Sequence, residues 1–377
     1  MSGALAGTEH HPQARMVLAT ALGGAPSHAY LFHGPAGVGK RTAARAFAAE
    51  LLAEGAPDPG DARRRVLAGT HPDLTWVRPS GAHVMRTQDV DEPVIAAASR
   101  TPFEARRRVF VLERVDTMND EVANRMLKTL EEPAPFVHLL LLTEALGRVL
   151  DTVVSRCQLV RFDPLPPGRI AKLLRADGVD PERARACARL ALGSASRARF
   201  LASAEGEALR ADAERVVEAA LGGGPRGADE PEPWRPLLDR AERRRAEAEK
   251  AAERERGRLM ELAPKGRDSR ALERELEEAA RRDARRARTE VLDLGLTLAG
   301  LAFRDLVCLA EGAEDAVLAP DRAASLAASA RGRDPRRLRQ AAERCEEARL
   351  SLELNVTEDL ALTALGFRLA ELAGTPA

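Results

Sequence analysis

The sequence predicts an α/β domain built on a parallel sheet, followed by a region that is helical throughout. Up to about residue 165, short apolar segments alternate with helical ones, which is typical of a parallel sheet covered by helices on both faces. Beyond a proline-rich segment at 164–167, the sequence offers helices and no convincing strand. A length of 377 residues is enough for two or three domains of ordinary size.

The α/β region begins with a short amphipathic helix predicted at 12–22. An apolar strand is predicted at 28–32, a glycine-rich turn follows it, and an alanine-rich helix is predicted at 42–52. The remaining elements of this region are strands at 73–77, 108–112, 137–142 and 158–162, and helices at 88–99 and 119–132.

In the helical region, residues 235–290 are unusual because they include 18 basic and 14 acidic side chains. Many of the opposite charges lie four positions apart, so they can pair along one helix face. This pattern predicts a solvated helical hairpin that turns near 264–266, and a nucleic-acid-binding surface is the alternative. An apolar segment at 291–306 predicts a buried helix, and two further helices are predicted at 335–355 and 357–373.

The composition excludes several classes of protein. Apolar residues make up 45% and charged residues 31%, as in folded proteins, and a 3% aromatic content argues against an aromatic-lined site for single-stranded nucleic acid. Basic and acidic residues number 58 each, so no net positive field draws the chain onto DNA or an acidic membrane. The four cysteines form no CxxC pair, and neither a membrane-spanning segment nor a signal peptide is evident, which predicts a cytoplasmic protein.

Residues 34–40 have the G-x4-G-K spacing of a phosphate-binding P-loop, between a predicted strand and a predicted helix. The glycines at this spacing, Gly34, Gly37 and Gly39, allow backbone N–H groups to converge on phosphate oxygens. Lys40 can then bridge the outer phosphates. The sequence therefore predicts a P-loop fold and a candidate site for ATP or ADP.

Two positions depart from the pattern that ATP hydrolysis requires. A Ser or Thr should follow Lys40 and bind Mg²⁺, but Arg41 stands there, and Thr42 is rotated by about 100° along the helix. The strand at 108–112 should end in Asp-Glu, but it ends in Glu113 and Arg114. Glu113 can still reach a metal through its extra methylene, whereas a guanidinium cannot act as a general base. These replacements indicate a P-loop fold that has lost its catalysis.

Several strings of the sequence resemble the clamp-loader group of AAA+ proteins. Besides the P-loop itself, they are HAYLF at 28–32, HPDL at 71–74, ANRMLKTLEEP at 123–133 and SRC at 155–157. The resemblance implies an AAA+ P-loop domain at 1–165, a lid domain of short helices at 166–207 and a helical collar domain at 208–377. In this scheme the collar holds the loader subunits together, and the charged residues 235–290 are an insertion in it.

Within that group, the replacements at Arg41, Glu113 and Arg114 resemble the stator branch, because the hydrolysing gamma/tau subunits keep Thr and Asp-Glu at these positions. The resemblance implies a subunit of the DNA polymerase III clamp loader that supports ATP-driven loading of the sliding clamp onto primed DNA. Its partners would be the gamma/tau and delta subunits, with the clamp and DNA reached through the complex and no membrane involved. Its own ATPase would be weak or absent, and polymerase activity is not expected.

The resemblance also assigns roles to individual residues. Arg156 becomes the arginine finger offered in trans to ATP on a neighbouring gamma/tau subunit, where a planar guanidinium stabilises the charge of phosphoryl transfer. A local ion pair is the structural alternative for Arg156. Thr143 lies at the sensor-1 position and Arg197 at the sensor-2 position, and together with the P-loop residues, Thr42 and Glu113 they would form a degenerate nucleotide site.

Three expectations remain open at this point. Many members of the group have a four-cysteine zinc module, but residues 51–70 contain no cysteine, so zinc is not expected. The alternative to the stator function is a gamma/tau-like ATPase or another AAA+ ATPase. A third hypothesis is direct DNA binding through residues 235–290. Glu131 and Glu132 end a helix before a proline, where acidic side chains oppose the helix dipole and need compensation.

Overall fold

The computed structural model describes residues 5–80, 84–224, 232–262, 267–352 and 357–374. The chain divides into two compact units. The first comprises Met1–Pro166 and Gly193–Ser196, and the second comprises Pro167–Leu192 and Arg197–Ala377.

The first unit contains a five-stranded parallel sheet. Its strands are β1 Ala29–His33, β2 Leu74–Val77, β3 Arg108–Leu112, β4 Val137–Thr143 and β5 Gln158–Arg161, in the order β2-β3-β4-β1-β5. All five lie where the sequence predicts strands. The predicted α/β fold with a parallel sheet is therefore confirmed.

Helices cover both faces of this sheet. In chain order they are α1 Pro12–Gly23, α2 Lys40–Ala53, α3 Pro59–Ala68, α4 Thr87–Val90, α5 Asp120–Glu131 and α6 Asp151–Val154. Side chains alternate between the faces, so Tyr30 and Phe32 pack with α1 and α2, whereas Leu31 packs with α5 on the opposite face. This double burial explains why the strands are almost continuously apolar.

Two local features of the first unit differ from the sequence prediction. The regular helix predicted at 88–99 is instead the short α4 followed by a π-helical turn at Asp91–Ala96. Pro93 lies in this turn, and a regular α-helix is disrupted there because proline has no N–H and its ring crowds the preceding turn. Helix α3 was not predicted, although Asp58 caps its first N–H groups and Gly69 ends it with a φ of 75°.

The described elements of the second unit are all helical. Its longer helices are α7 Pro167–Ala176, α8 Pro181–Leu190, α9 Ala195–Ala202, α10 Ala204–Leu221, α11 Arg235–Leu262, α12 Arg267–Ala310, α13 Ala323–Ala330, α14 Pro335–Ser351 and α15 Glu358–Ala373. The first two residues of α9 belong to the first unit. The predicted hairpin is formed by α11 and α12, and its predicted turn near 264–266 lies outside the described residues. Helix α12 also continues without a break through the apolar segment at 291–306, where Phe303 and Leu306 are buried.

Along the ranges that the structure describes, no helix combines the length and apolar character needed to cross a membrane.

Candidate functional site

The P-loop joins the end of β1 to the start of α2. Gly34, at a φ of 140°, approaches the backbone of Phe162 so closely that a Cβ would lie 2.0 Å from the Phe162 carbonyl oxygen. Gly39 caps α2 in the left-handed region, at a φ of 110°. The two glycines are therefore required by the backbone path that a phosphate loop takes.

Lys40 is the first residue of α2 and is buried. Its Nζ donates to the carbonyl oxygens of Gly34 at 2.5 Å and Pro35 at 2.6 Å. Burial lowers the pKa of Lys40 to about 8, although the carboxylates of Glu144 and Asp116 act in the opposite direction. The ammonium group thus lies inside its own loop, close to two acidic side chains.

Glu113, at the end of β3, is 1% exposed and is surrounded by donors. Its Oε2 forms an ion pair with Arg41, while Oε1 accepts from Trp76 Nε1 at 2.6 Å and from Arg78 Nε at 3.3 Å. We call Glu113 and these three partners the Glu113 cluster. Both oxygens of the carboxylate that the sequence suggested as a metal ligand are therefore engaged by protein donors.

Thr143 and Arg114 lie at the same edge of the sheet. Thr143 ends β4, and its Oγ1 donates to Asp116 Oδ1 at 2.8 Å. Asp116 also accepts from the backbone N–H of Glu144 at 3.3 Å. Arg114 precedes this turn with a φ of 54°, an uncommon conformation for a residue with a side chain. The sensor-1 candidate is thus tied to a carboxylate that follows β3.

Two serines contact the tip of the P-loop. Ser194 Oγ and Ser196 Oγ each lie 3.2 Å from the carbonyl oxygen of Gly37. A Cβ at Gly37 would come within 2.1 Å of Ser194 Oγ, so the contact itself requires glycine there. Arg197 follows directly in the sequence but belongs to the second unit, and Thr42 is exposed with its Cβ beside Gly7.

Arg156 occupies a separate surface of the first unit, in the turn between α6 and β5. Its Nη2 pairs with Glu131 Oε1 at 2.5 Å, and its Nη1 donates to the Thr152 carbonyl at 2.7 Å and Ser155 Oγ at 3.2 Å. The side chain remains 33% exposed. The structure therefore joins two of the sequence motifs, because Glu131 ends the LEEP helix and Arg156 is the centre of SRC.

Comparison with known proteins finds a family match within the first unit. The family model described as DNA polymerase III, delta subunit, matches residues 11–166. The delta-prime subunit of DNA polymerase III from Bacillus subtilis is 37% identical over 168 residues, which are 44% of this chain and 50% of that protein. The delta-prime subunit from Pseudomonas aeruginosa is 34% identical over 197 residues, 51% of this chain and 60% of that protein.

Part of this chain is thus similar to the delta-prime subunits of DNA polymerase III. The chain spans 50% of the length of the first of these relatives and 60% of the second. A solved DNA polymerase III gamma subunit-related protein from Thermotoga maritima is similar at 12% identity and a TM-score of 0.46, over 96% of this chain and 99% of that chain. The resemblance to DNA polymerase III clamp-loader subunits is confirmed over the matched part of the chain. The roles of individual residues remain predictions.

Sequence reasoning missed several residues of this site. Trp76 and Arg78 were not predicted, although Trp76 lies in β2 and Arg78 follows it directly, beside β3, which leads to Glu113. Because parallel strands end at the same sheet edge, knowledge of the strand order would have indicated them. Asp116 was missed for the same reason, beside the end of β4. No three His, Cys, Asp or Glu side chains converge as a metal site within the part of the chain that the structure describes.

Proposed function

We propose that this chain is the stator subunit of a DNA polymerase III clamp loader in the cytoplasm. In this role it supports ATP-driven loading of the sliding clamp onto primed DNA and does not hydrolyse ATP itself. It assembles with gamma/tau and delta subunits and offers Arg156 in trans to ATP on a gamma/tau neighbour. The observation that carries the proposal is the Glu113 cluster.

The residues around the P-loop do not fit a magnesium site. Mg²⁺ is held by oxygen ligands, and the position that should supply a hydroxyl holds the guanidinium of Arg41. The nearby carboxylate of Glu113 already pairs with Arg41 and Arg78, so binding a cation would require breaking two ion pairs. Arg114 stands where a water-activating carboxylate is needed. This arrangement supports a subunit without turnover.

A second candidate, a gamma/tau-like or other AAA+ ATPase, is favoured by the intact P-loop alone. Gly34, Gly37, Gly39 and Lys40 retain the groups that bind ATP or ADP phosphates. Thr42, Glu113, Thr143 and Arg197 complete the proposed degenerate site. Binding of a nucleotide is compatible with the stator, whereas turnover by the isolated chain is not, so hydrolysis separates the two candidates.

The finger assignment is supported by the chemistry of Arg156. Its guanidinium is partly exposed on the surface of the unit, where a neighbouring subunit can approach. Phosphoryl transfer spreads negative charge over the γ-phosphate oxygens, and a planar guanidinium from a neighbour stabilises that charge. An ammonium group keeps the charge but loses the planar fork, so lysine is a poor replacement.

Steady-state ATPase assays test both parts of the proposal. We expect no turnover above background by the isolated chain, because the Glu113 cluster leaves no competent metal site. In a complex with gamma/tau and delta, clamp and primed DNA, Arg156→Ala should assemble but reduce hydrolysis at one site by about 10³–10⁵-fold, with a smaller loss over all sites. Arg156→Lys should rescue little.

Arg148→Ala is the matched control, because Arg148 is also exposed and lies eight positions earlier in the chain. It should leave hydrolysis unchanged. A complex with Arg156→Ala that loads clamps at the parental rate would show that Arg156 has only a structural role. If the isolated chain hydrolyses ATP and Lys40→Ala abolishes this activity, the proposed stator function is wrong.

A further inference from the structure

Glu131 lies at the C-terminal end of α5, where the helix dipole disfavours a negative charge. Glu132 follows it in the same exposed position. Only one of the two acidic side chains has a charged partner among the described residues, since Glu131 pairs with Arg156 and Glu132 makes no ion pair there. The pairing supplies the compensation that the end of this helix requires.

The contacts of Arg156 fix its guanidinium without using all of its donors. Glu131 engages Nη2, while the Thr152 carbonyl and Ser155 Oγ engage Nη1. A guanidinium has five N–H groups, so about two remain for an external anion. The three partners lie on two different elements of the fold. Glu131 ends α5, whereas Thr152 and Ser155 belong to α6 and the turn after it.

The pair also borders a concave surface. It is a shallow depression, largely open to solvent, with a volume of about 580 Å³, and it is lined by His28, Leu130, Glu131, Ser155 and Arg156. Leu130 is buried under the end of α5, and α5 packs against α6, so the helices that carry Glu131 and Thr152 contact each other. The carboxylate is therefore held at a defined place from which it can orient the guanidinium.

We propose that Glu131 is a positioning residue for Arg156, holding the guanidinium ready for the phosphates of a nucleotide bound to a neighbouring subunit. This inference rests on the proposed finger role of Arg156. An arginine side chain loses considerable rotamer freedom when it is fixed. Because Glu131 fixes it before the subunits meet, that loss does not add to the barrier of phosphoryl transfer.

Glu131→Gln tests this role, since glutamine keeps the size and an acceptor oxygen but removes the charge that doubles the strength of the hydrogen bond. Glu132→Gln is the matched control, one position away on the same helix end. In the reconstituted complex with gamma/tau, delta, clamp and primed DNA, we expect Glu131→Gln to lower kcat for ATP by about fivefold to tenfold. KM should be unchanged, and Glu132→Gln should behave like the parent.

A double variant separates positioning from a general structural effect. If Glu131 acts through Arg156, adding Glu131→Gln to Arg156→Ala should cause no further loss of kcat. An additional loss of similar size in the Arg156→Ala background would show that Glu131 acts elsewhere. An unchanged or increased kcat in Glu131→Gln alone would overturn the inference while leaving the finger intact. A complex that tolerates Arg156→Ala would overturn the finger and the positioning role together.

Discussion

Lys40 and Arg41 begin helix α2, where the positive end of the helix dipole disfavours positive side chains. Each is compensated differently. Lys40 turns into the P-loop and donates to two carbonyl oxygens, whereas Arg41 pairs with Glu113 at the end of β3. The compensation is incomplete for Lys40, since burial lowers its pKa to about 8. A charged Lys40 therefore costs the folded state free energy at neutral pH.

This cost predicts a pH dependence of stability. The pKa of Lys40 is about 8 in the folded chain and has its ordinary value of 10.5 when unfolded, so the unfolded chain binds more protons between these values. Relative to a Lys40→Met variant, the parent should gain up to about 3 kcal/mol in unfolding free energy as the pH rises through this window. Chemical denaturation at several pH values measures the difference. Lys172→Met, at an exposed position of α7, is the control, and parallel profiles for Lys40→Met and the parent would contradict the prediction.

At the scale of elements, the ion pairs of the α11–α12 hairpin differ in burial between the end near α10 and the rest of the hairpin. Asp212 of α10 is 2% exposed and pairs with Arg240 of α11 at 2.7 Å and with Arg215 at 2.6 Å. Further along, pairs such as Glu277–Arg281 are largely exposed. Exposed ion pairs contribute little to stability, whereas breaking a buried one leaves a charge without its partner.

Asp212→Ala should therefore lower the unfolding free energy by about 2–4 kcal/mol. This loss is smaller than for a fully buried pair because solvent screens Arg215, which is half exposed. Glu277→Ala, the control on the exposed part of the hairpin, should cost no more than about 0.5 kcal/mol. Urea denaturation measures both. Equal small losses would mean that Asp212 does not anchor α10 to α11.

The elements that the sequence predicted well are those with a strong period or composition. All five strands and the charged hairpin were predicted because apolar runs and opposite charges four positions apart are local signals. The π-helical turn was missed because it depends on how Pro93 is accommodated, and the Glu113 cluster was missed because it depends on strand order. Arg156 and Glu131 were each noted, but their ion pair joins residues 25 positions apart and has no local signal.

At the scale of the whole chain, the family match and the charge distribution concern different units. The match covers residues 11–166, whereas the charged residues 235–290 belong to the second unit. That segment has an excess of arginine over acid, but its described part contains ion pairs along α11 and α12. Arginines that pair with neighbouring carboxylates are less available to phosphates, which favours a solvated hairpin over a DNA-binding surface.

The isolated chain should therefore bind duplex DNA weakly, with a dissociation constant of about 10⁻⁴ M at physiological salt, the weak end of non-specific binding. Fluorescence anisotropy of a labelled duplex measures both the affinity and its salt dependence when the salt concentration is varied from about 50 to about 200 mM. The double variant Glu277→Gln and Glu278→Gln releases Arg281 and Arg282, which pair with these acids in the parent. Two added phosphate contacts should strengthen binding and steepen the slope of log affinity against log salt by about 1.8. Submicromolar binding by the parent chain with a steep salt dependence would contradict this prediction.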